Sequence, residues 1–205
     1  MKLALRAALG LLLAIGLVAC DGDEGGPVTT GSPDERASAT GTPGTTGPEG
    51  ETFSGNGVSF AFPEDWDEFT VSETSASAGN ELWSEAIGID DVNFVSIAGY
   101  EINIDITSTN IDEQAEHVGE QMGALFAQAG GDLVSGPDIT ELDGLPALAF
   151  VGTAVNPSGT TVESRLVLAF DGMTEYFVNC QYDDRGESEI VAGCNLILST
   201  FDISA

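Results

Sequence analysis

Cysteine and histidine are scarce among the 205 residues, which contain three of the first and one of the second. His117 follows Glu113 by four positions in a stretch with helical patterning and lies away from the apolar stripe. That placement predicts a solvent-facing side chain in an i,i+4 pair. A metal centre or a general base would need partners, and the chain has no second histidine. No Gly-x-Ser-x-Gly elbow, phosphate loop or dinucleotide fingerprint occurs. Carboxylates are abundant, with Asp+Glu 34. Paired-acid chemistry needs two carboxyls across a cleft, one of them desolvated, and the sequence singles out no such pair. Asp183, Asp184, Glu187 and Glu189 cluster closely enough to suggest calcium, or a solvated turn with Arg185 inside it. Trp66, behind a proline turn, reads as a core plug, whereas Trp83 fits either a core or a ligand groove. These residue types point away from catalysis, and neither an enzyme nor a cofactor is expected.

The cysteines carry more. Lys2 and Arg6 precede an apolar stretch over residues 7–19 that ends Leu17-Val18-Ala19-Cys20. The stretch is shorter than the ~18 apolar residues of a spanning helix and fits the h-region of a secretory signal. Small residues before a cysteine resemble the bacterial lipobox, in which the leader is cut before a cysteine bearing a diacylglyceryl thioether. An ordinary secretory signal that happens to contain a cysteine is the alternative. With Cys20 acylated, Cys180 and Cys194 remain as an even pair in an oxidising compartment. Cys180 has the parity of Tyr176 and Val178 on a strand, and Cys194 sits on the inward stripe of a helix. A disulfide there would staple helix to sheet, the alternative being two buried thiols.

Lys+Arg 5 against Asp+Glu 34 gives a net charge of -29. That excludes a nucleic-acid binder, which needs a basic patch, and argues against electrostatic docking on anionic lipid. Three segments are expected: a signal peptide over 1–19, the lipidated cysteine with a disordered linker over 20–56, and a folded domain over 57–205. Between residues 21 and 51 only Val28 is a branched aliphatic among Gly, Thr, Ser, Pro and acids, too little apolar surface to offset ordering entropy. Thr29, Thr30, Thr42, Thr45 and Thr46 near prolines suit O-glycosylation. The domain holds 27 carboxylates and two bases, Arg165 and Arg185.

Within the domain, Val58, Phe60 and Phe62 alternate with smaller residues, as in a strand. Short strands are expected at 69–71 and 82–83, a buried one at 92–98, a bulge at Gly99 and a half-exposed strand at 100–106. Ile111, Ala115, Val118, Met122, Leu125, Phe126 and Ala129 recur at steps of three and four, predicting a helix over 111–129. Asn110 and Glu113 have capping-box spacing and Gly130-Gly131 supplies a stop. Strands follow at 139–142, 145–155, 161–170 and 174–182, the last two joined by an Asp171-Gly172 turn. A terminal helix carries Ile190, Val191, Cys194, Ile197, Leu198 and Phe201 on one stripe.

Strand 57–62 running into Phe62-Pro63-Glu64-Asp65-Trp66, the single long helix, Leu142-Asp143-Gly144-Leu145-Pro146-Ala147 and the ending Ser199-Thr200-Phe201 occur in an order that resembles the PsbP-like fold, in particular LpqN-type actinobacterial lipoproteins. The resemblance spans roughly 57–203. It implies an α+β fold, an antiparallel sheet sandwiched by helices, and a non-catalytic role in protein interaction at the envelope. The expected protein is anchored through Cys20 to the outer face of a bacterial cell membrane and engages another envelope protein. A carrier or sensor of a small apolar ligand is the alternative, and a two-carboxylate hydrolase ranks last.

Overall fold

A computed structural model of the chain describes residues 50–69, 80–156 and 158–203. Cys20 and the leader lie outside the described residues, as does most of the expected 69–71 strand. The elements are β1 (Glu51–Gly55), β2 (Val58–Phe62), β3 (Asp67–Phe69), β4 (Glu81–Gly88), β5 (Phe94–Ile106), α1 (Ile111–Gln128), β6 (Leu133–Leu142), β7 (Leu145–Val155), β8 (Thr161–Tyr182), α2 (Glu187–Thr200) and β9 (Asp202–Ile203). All strand pairs are antiparallel. A small sheet has the order β1-β2-β9 and the large one β3-β4-β5-β8-β7-β6.

β8 is continuous in extended backbone but not straight. Arg165 Nε donates to Tyr182 Oη at 2.8 Å, whereas 17 residues of straight strand would separate them by roughly 55 Å. The chain therefore reverses between them, at Asp171-Gly172, where Gly172 takes φ 60°. The first arm pairs outward with β7, Ala169 opposite Ala147 through Thr161 opposite Val155. The second pairs outward with β5, Gly172 opposite Ile106 through Gln181 opposite Phe94. The expected hairpin thus sits at the centre of the sheet.

Alternation along the strands sends two apolar sets to opposite faces. Tyr100, Ile102, Leu148, Phe150, Leu168, Phe170 and Phe177 meet the stripe Ile111, Ala115, Val118, Met122, Leu125 and Phe126 of α1. Val95, Ile97, Ala147, Val178 and Cys180 meet Ile190, Cys194 and Ile197 of α2 together with Val58, Phe60 and Phe62 of the small sheet. The result is a helix–sheet–helix sandwich with two cores. Phe60 stacks on Phe53 at 4.9 Å and on Phe201 at 5.8 Å, tying β1 and the chain end to the second core.

Several expectations need correction. β1 occupies residues assigned to the linker, because Phe53 has Phe60 to pack on; the domain begins before residue 57. β6 starts at Leu133 rather than 139, since Leu133 reaches the α1 core. The irregularity near Gly99 lies in β4, between Glu81 and Trp83. Gly99 itself makes room for an indole: a Cβ there would stand 2.4 Å from Trp83 Nε1. No capping box forms at α1. The Asn110 carboxamide accepts from Thr107 N at 2.8 Å and donates to Asp105 O at 2.8 Å, closing the preceding turn instead. The stop does form. Gly130 takes φ 75°, Gly131 N donates to Phe126 O and Gly130 N to Ala127 O, which is a Schellman ending.

Candidate functional site

Cys180 on β8 and Cys194 on α2 form a disulfide, with Cα atoms 6.0 Å apart. It staples helix to sheet, as parity predicts, and both cysteines are buried. Around it α2 leaves part of the sheet uncovered. The flank of α2 carrying Glu187, Val191, Asn195 and Leu198 advances in steps of four and three, so these side chains form one wall. The floor is two strands side by side. Ala149, Val151 and Thr153 of β7 stand opposite Val167, Arg165 and Glu163 of the first β8 arm, with Thr161 beyond. Two separate clefts lie along this wall, one at each end, and together they are termed the furrow.

At the Leu198 end the lining is apolar: Ala149, Val151, Val167, Val191 and Leu198 enclose about 200 Å³ above the disulfide. At the Glu187 end Thr153, Thr161, Glu163, Tyr182, Asp184 and Glu187 line a polar cleft of about 550 Å³. Arg165 joins the two. It lines the apolar end, donates to Tyr182 Oη, and lies 5.6 Å from the Tyr182 ring centre. Tyr182 in turn donates to Glu163 Oε1 in a short hydrogen bond. Burial and then the Glu163 carboxylate push the Tyr182 phenol up to about 12, so it stays a neutral donor at any physiological pH.

Within the acidic cluster, Asp183 closes a turn. Arg185 Nε and Nη2 donate to Asp183 Oδ2 at 2.9 and 2.6 Å. Arg185 N and Gly186 N donate to Oδ1, while Asp183 N donates to Asn93 Oδ1. Arg185 and those backbone amides hold the Asp183 carboxyl below its ordinary range. Asp183 thereby closes the entry to α2 with both carboxylate oxygens engaged. Among the described residues no group of three or more His, Cys, Asp or Glu is placed to hold a metal ion.

The remaining candidates are structural. His117 is exposed on α1, and its i,i+4 neighbour in contact is Gln121, at 2.7 Å, rather than Glu113. Trp66 is the expected core plug, against Gly193 of α2. Trp83 lies half-buried over Gly99, outside the furrow. Sequence reasoning missed Glu175, a carboxyl 2% exposed beside Tyr100 on the α1 face. Burial alone raises it to about 7. Its position on a strand of alternating apolar residues was the available signal. It lines neither end of the furrow.

No protein-family model matches the chain, and no curated protein matches it in sequence. Among solved structures it is similar to cyanobacterial PsbP (CyanoP) from Synechocystis, at 16% identity and TM-score 0.55, over 78% of this chain and 98% of that one. A Bacteroides thetaiotaomicron protein matches at 14% identity and TM-score 0.50, over 76% of this chain and 49% of the other, so this chain spans about half its length. LpqN of Mycobacterium tuberculosis, involved in cell envelope biogenesis, matches at 14% identity and TM-score 0.43, over 78% and 87%. The CyanoP likeness establishes a PsbP-like α+β fold. Among the described residues no helix is long and apolar enough to cross a membrane.

Proposed function

We propose that the protein is a non-catalytic binding module, held at the outer face of a bacterial membrane by acylated Cys20, and that the furrow along α2 receives a segment of another envelope protein. The observation that carries this reading is the furrow itself: an uncovered stretch of sheet, walled by one helix and rigidly fixed by the disulfide beneath it. The leader ending Leu17-Val18-Ala19-Cys20 supports the location and the anchor. The carrier reading is less well supported. Its apolar end, about 200 Å³, falls short of the ~300–1,000 Å³ of small-molecule pockets. The α1 core is filled by Phe126, Phe150, Phe170 and Phe177 at 2% exposure or less.

A photo-crosslinking residue at position 195, on the furrow wall, should give discrete protein adducts in intact cells. The same residue at position 120, exposed on α1, should not. Adducts at neither position, or equally at both, contradict the furrow. Cys20→Ala protein should appear in the medium or as uncut precursor; unchanged membrane retention contradicts the anchor.

A further inference from the structure

The chemistry of the furrow specifies its occupant further, granted that it is a docking site for a protein segment. Glu187, Val191, Asn195 and Leu198 span 12 residues of helix, about 16 Å. The floor from Thr161 to Val167 is about 20 Å of strand. That length seats five or six residues of extended chain and no folded element. One end is apolar and the other polar, and the polar end is not electrically balanced. The walls carry five carboxylates, Asp138, Glu163, Asp183, Asp184 and Glu187, against two guanidiniums, Arg165 and Arg185.

Both guanidiniums are already matched. Arg165 lies against Tyr182 and 3.4 Å from Glu163, and Arg185 is bound to Asp183. The positive end of α2, which would otherwise attract an anion, is covered by the Asp183 carboxylate through Gly186 N. Asp184 and Glu187 remain exposed around the cleft. An anionic or neutral occupant would leave them uncompensated and crowded; a cationic side chain would complement them.

We infer that the furrow binds an extended, basic segment of a partner protein, with an aliphatic or aromatic side chain in the slot between Ala149, Val167 and Leu198 and a lysine or arginine beside Asp184 and Glu187. The two centres are roughly 10–16 Å apart, so the anchor and the cation lie three to five residues apart in the peptide.

The test is selection from a random hexapeptide display library on the full-length protein in phosphatidylcholine nanodiscs. Enriched peptides are expected to pair Lys or Arg with Leu, Ile, Val or Phe at that spacing. A selected peptide should bind at least tenfold more weakly to Glu187→Gln, and to Ala149→Leu, which plugs the apolar slot. Its affinity should fall as salt rises from 50 to 500 mM. Acidic or motif-free selections overturn the inference, as does affinity indifferent to Glu187→Gln. So does binding of dodecanoate with no peptide enriched, which would make the occupant an acyl chain. Adducts at position 195 together with acidic selections would overturn this inference and leave the binding-module reading intact; no adducts at all would remove both.

Discussion

At the scale of single residues, the unusual member of the chain is Glu175. A carboxyl surrounded by Tyr100, Phe177 and the α1 core is stable only while protonated, so burial raises it from 4.5 to about 7. The native state then keeps a proton that the unfolded chain has released. Its contribution is complete below pH 4.5 and is lost as pH rises through 7, at a cost of about 3 kcal/mol. Urea titrations should therefore show stability falling between pH 5 and pH 8, and Glu175→Gln should flatten that fall and be the more stable form at pH 8. A parallel decline in both proteins would dismiss the residue as the cause. The disulfide is the second residue-scale term. Its separation of 14 residues corresponds to about 3 kcal/mol of loop entropy removed from the unfolded chain. Reductant, or Cys180→Ser with Cys194→Ser, should lower the unfolding free energy from urea titration by that amount, and an unchanged free energy would show that the bond stabilises nothing.

At the scale of elements, the two helices are seated differently. In α2, Gly193 lies under Trp66: a Cβ would stand 2.2 Å from the indole, which is 5% exposed. In α1, Gly123 would meet only Leu133 Cδ2 at 3.9 Å. The same change should act in opposite directions. Gly193→Ala should cost about 1–3 kcal/mol by overpacking, while Gly123→Ala should gain about 0.5–1 kcal/mol from helix propensity. Thermal melts of the pair check this, and two changes of the same sign would refute the packing argument. Local pattern was enough to place α1 and the central hairpin, because a long amphipathic repeat and an Asp-Gly turn are decided within a few residues. It failed at β1 and at the first half of β6. Apart from Phe53 and Leu133, which pack on distant residues, their side chains are mostly small, polar or exposed, and pairing with β2 and β7 makes them strands.

For the whole molecule, charge is the dominant fact. A domain with 28 carboxylates from Glu51 onward and two arginines, both arginines engaged with acids of their own chain, repels itself in the folded state more than when expanded. Screening should relieve this, so the melting temperature should climb between 20 mM and 500 mM sodium chloride. Scanning calorimetry at pH 7 tests it; a flat or falling response would mean the acids are already compensated. The same field favours basic partners over acidic ones at long range, in accord with the excess of carboxylates at the furrow.

Composition and short-range pattern alone determined the acidic character, the inward parity of Cys180 and Cys194, and a run of strands with one long helix. These are local properties, decided by residue type and by periods of two and 3.6. The furrow was beyond reach of such reasoning. Its lining comes from β7, β8 and α2, brought together by strand pairing and a disulfide, and its charge imbalance depends on which acids the two arginines already hold. The fate of Asp183 was likewise tertiary: an acid read as a possible metal ligand becomes a turn closure once Asn93, some 90 residues earlier, lies beside it. Burial and partnership are sums over distant neighbours, and only the folded chain supplies the terms.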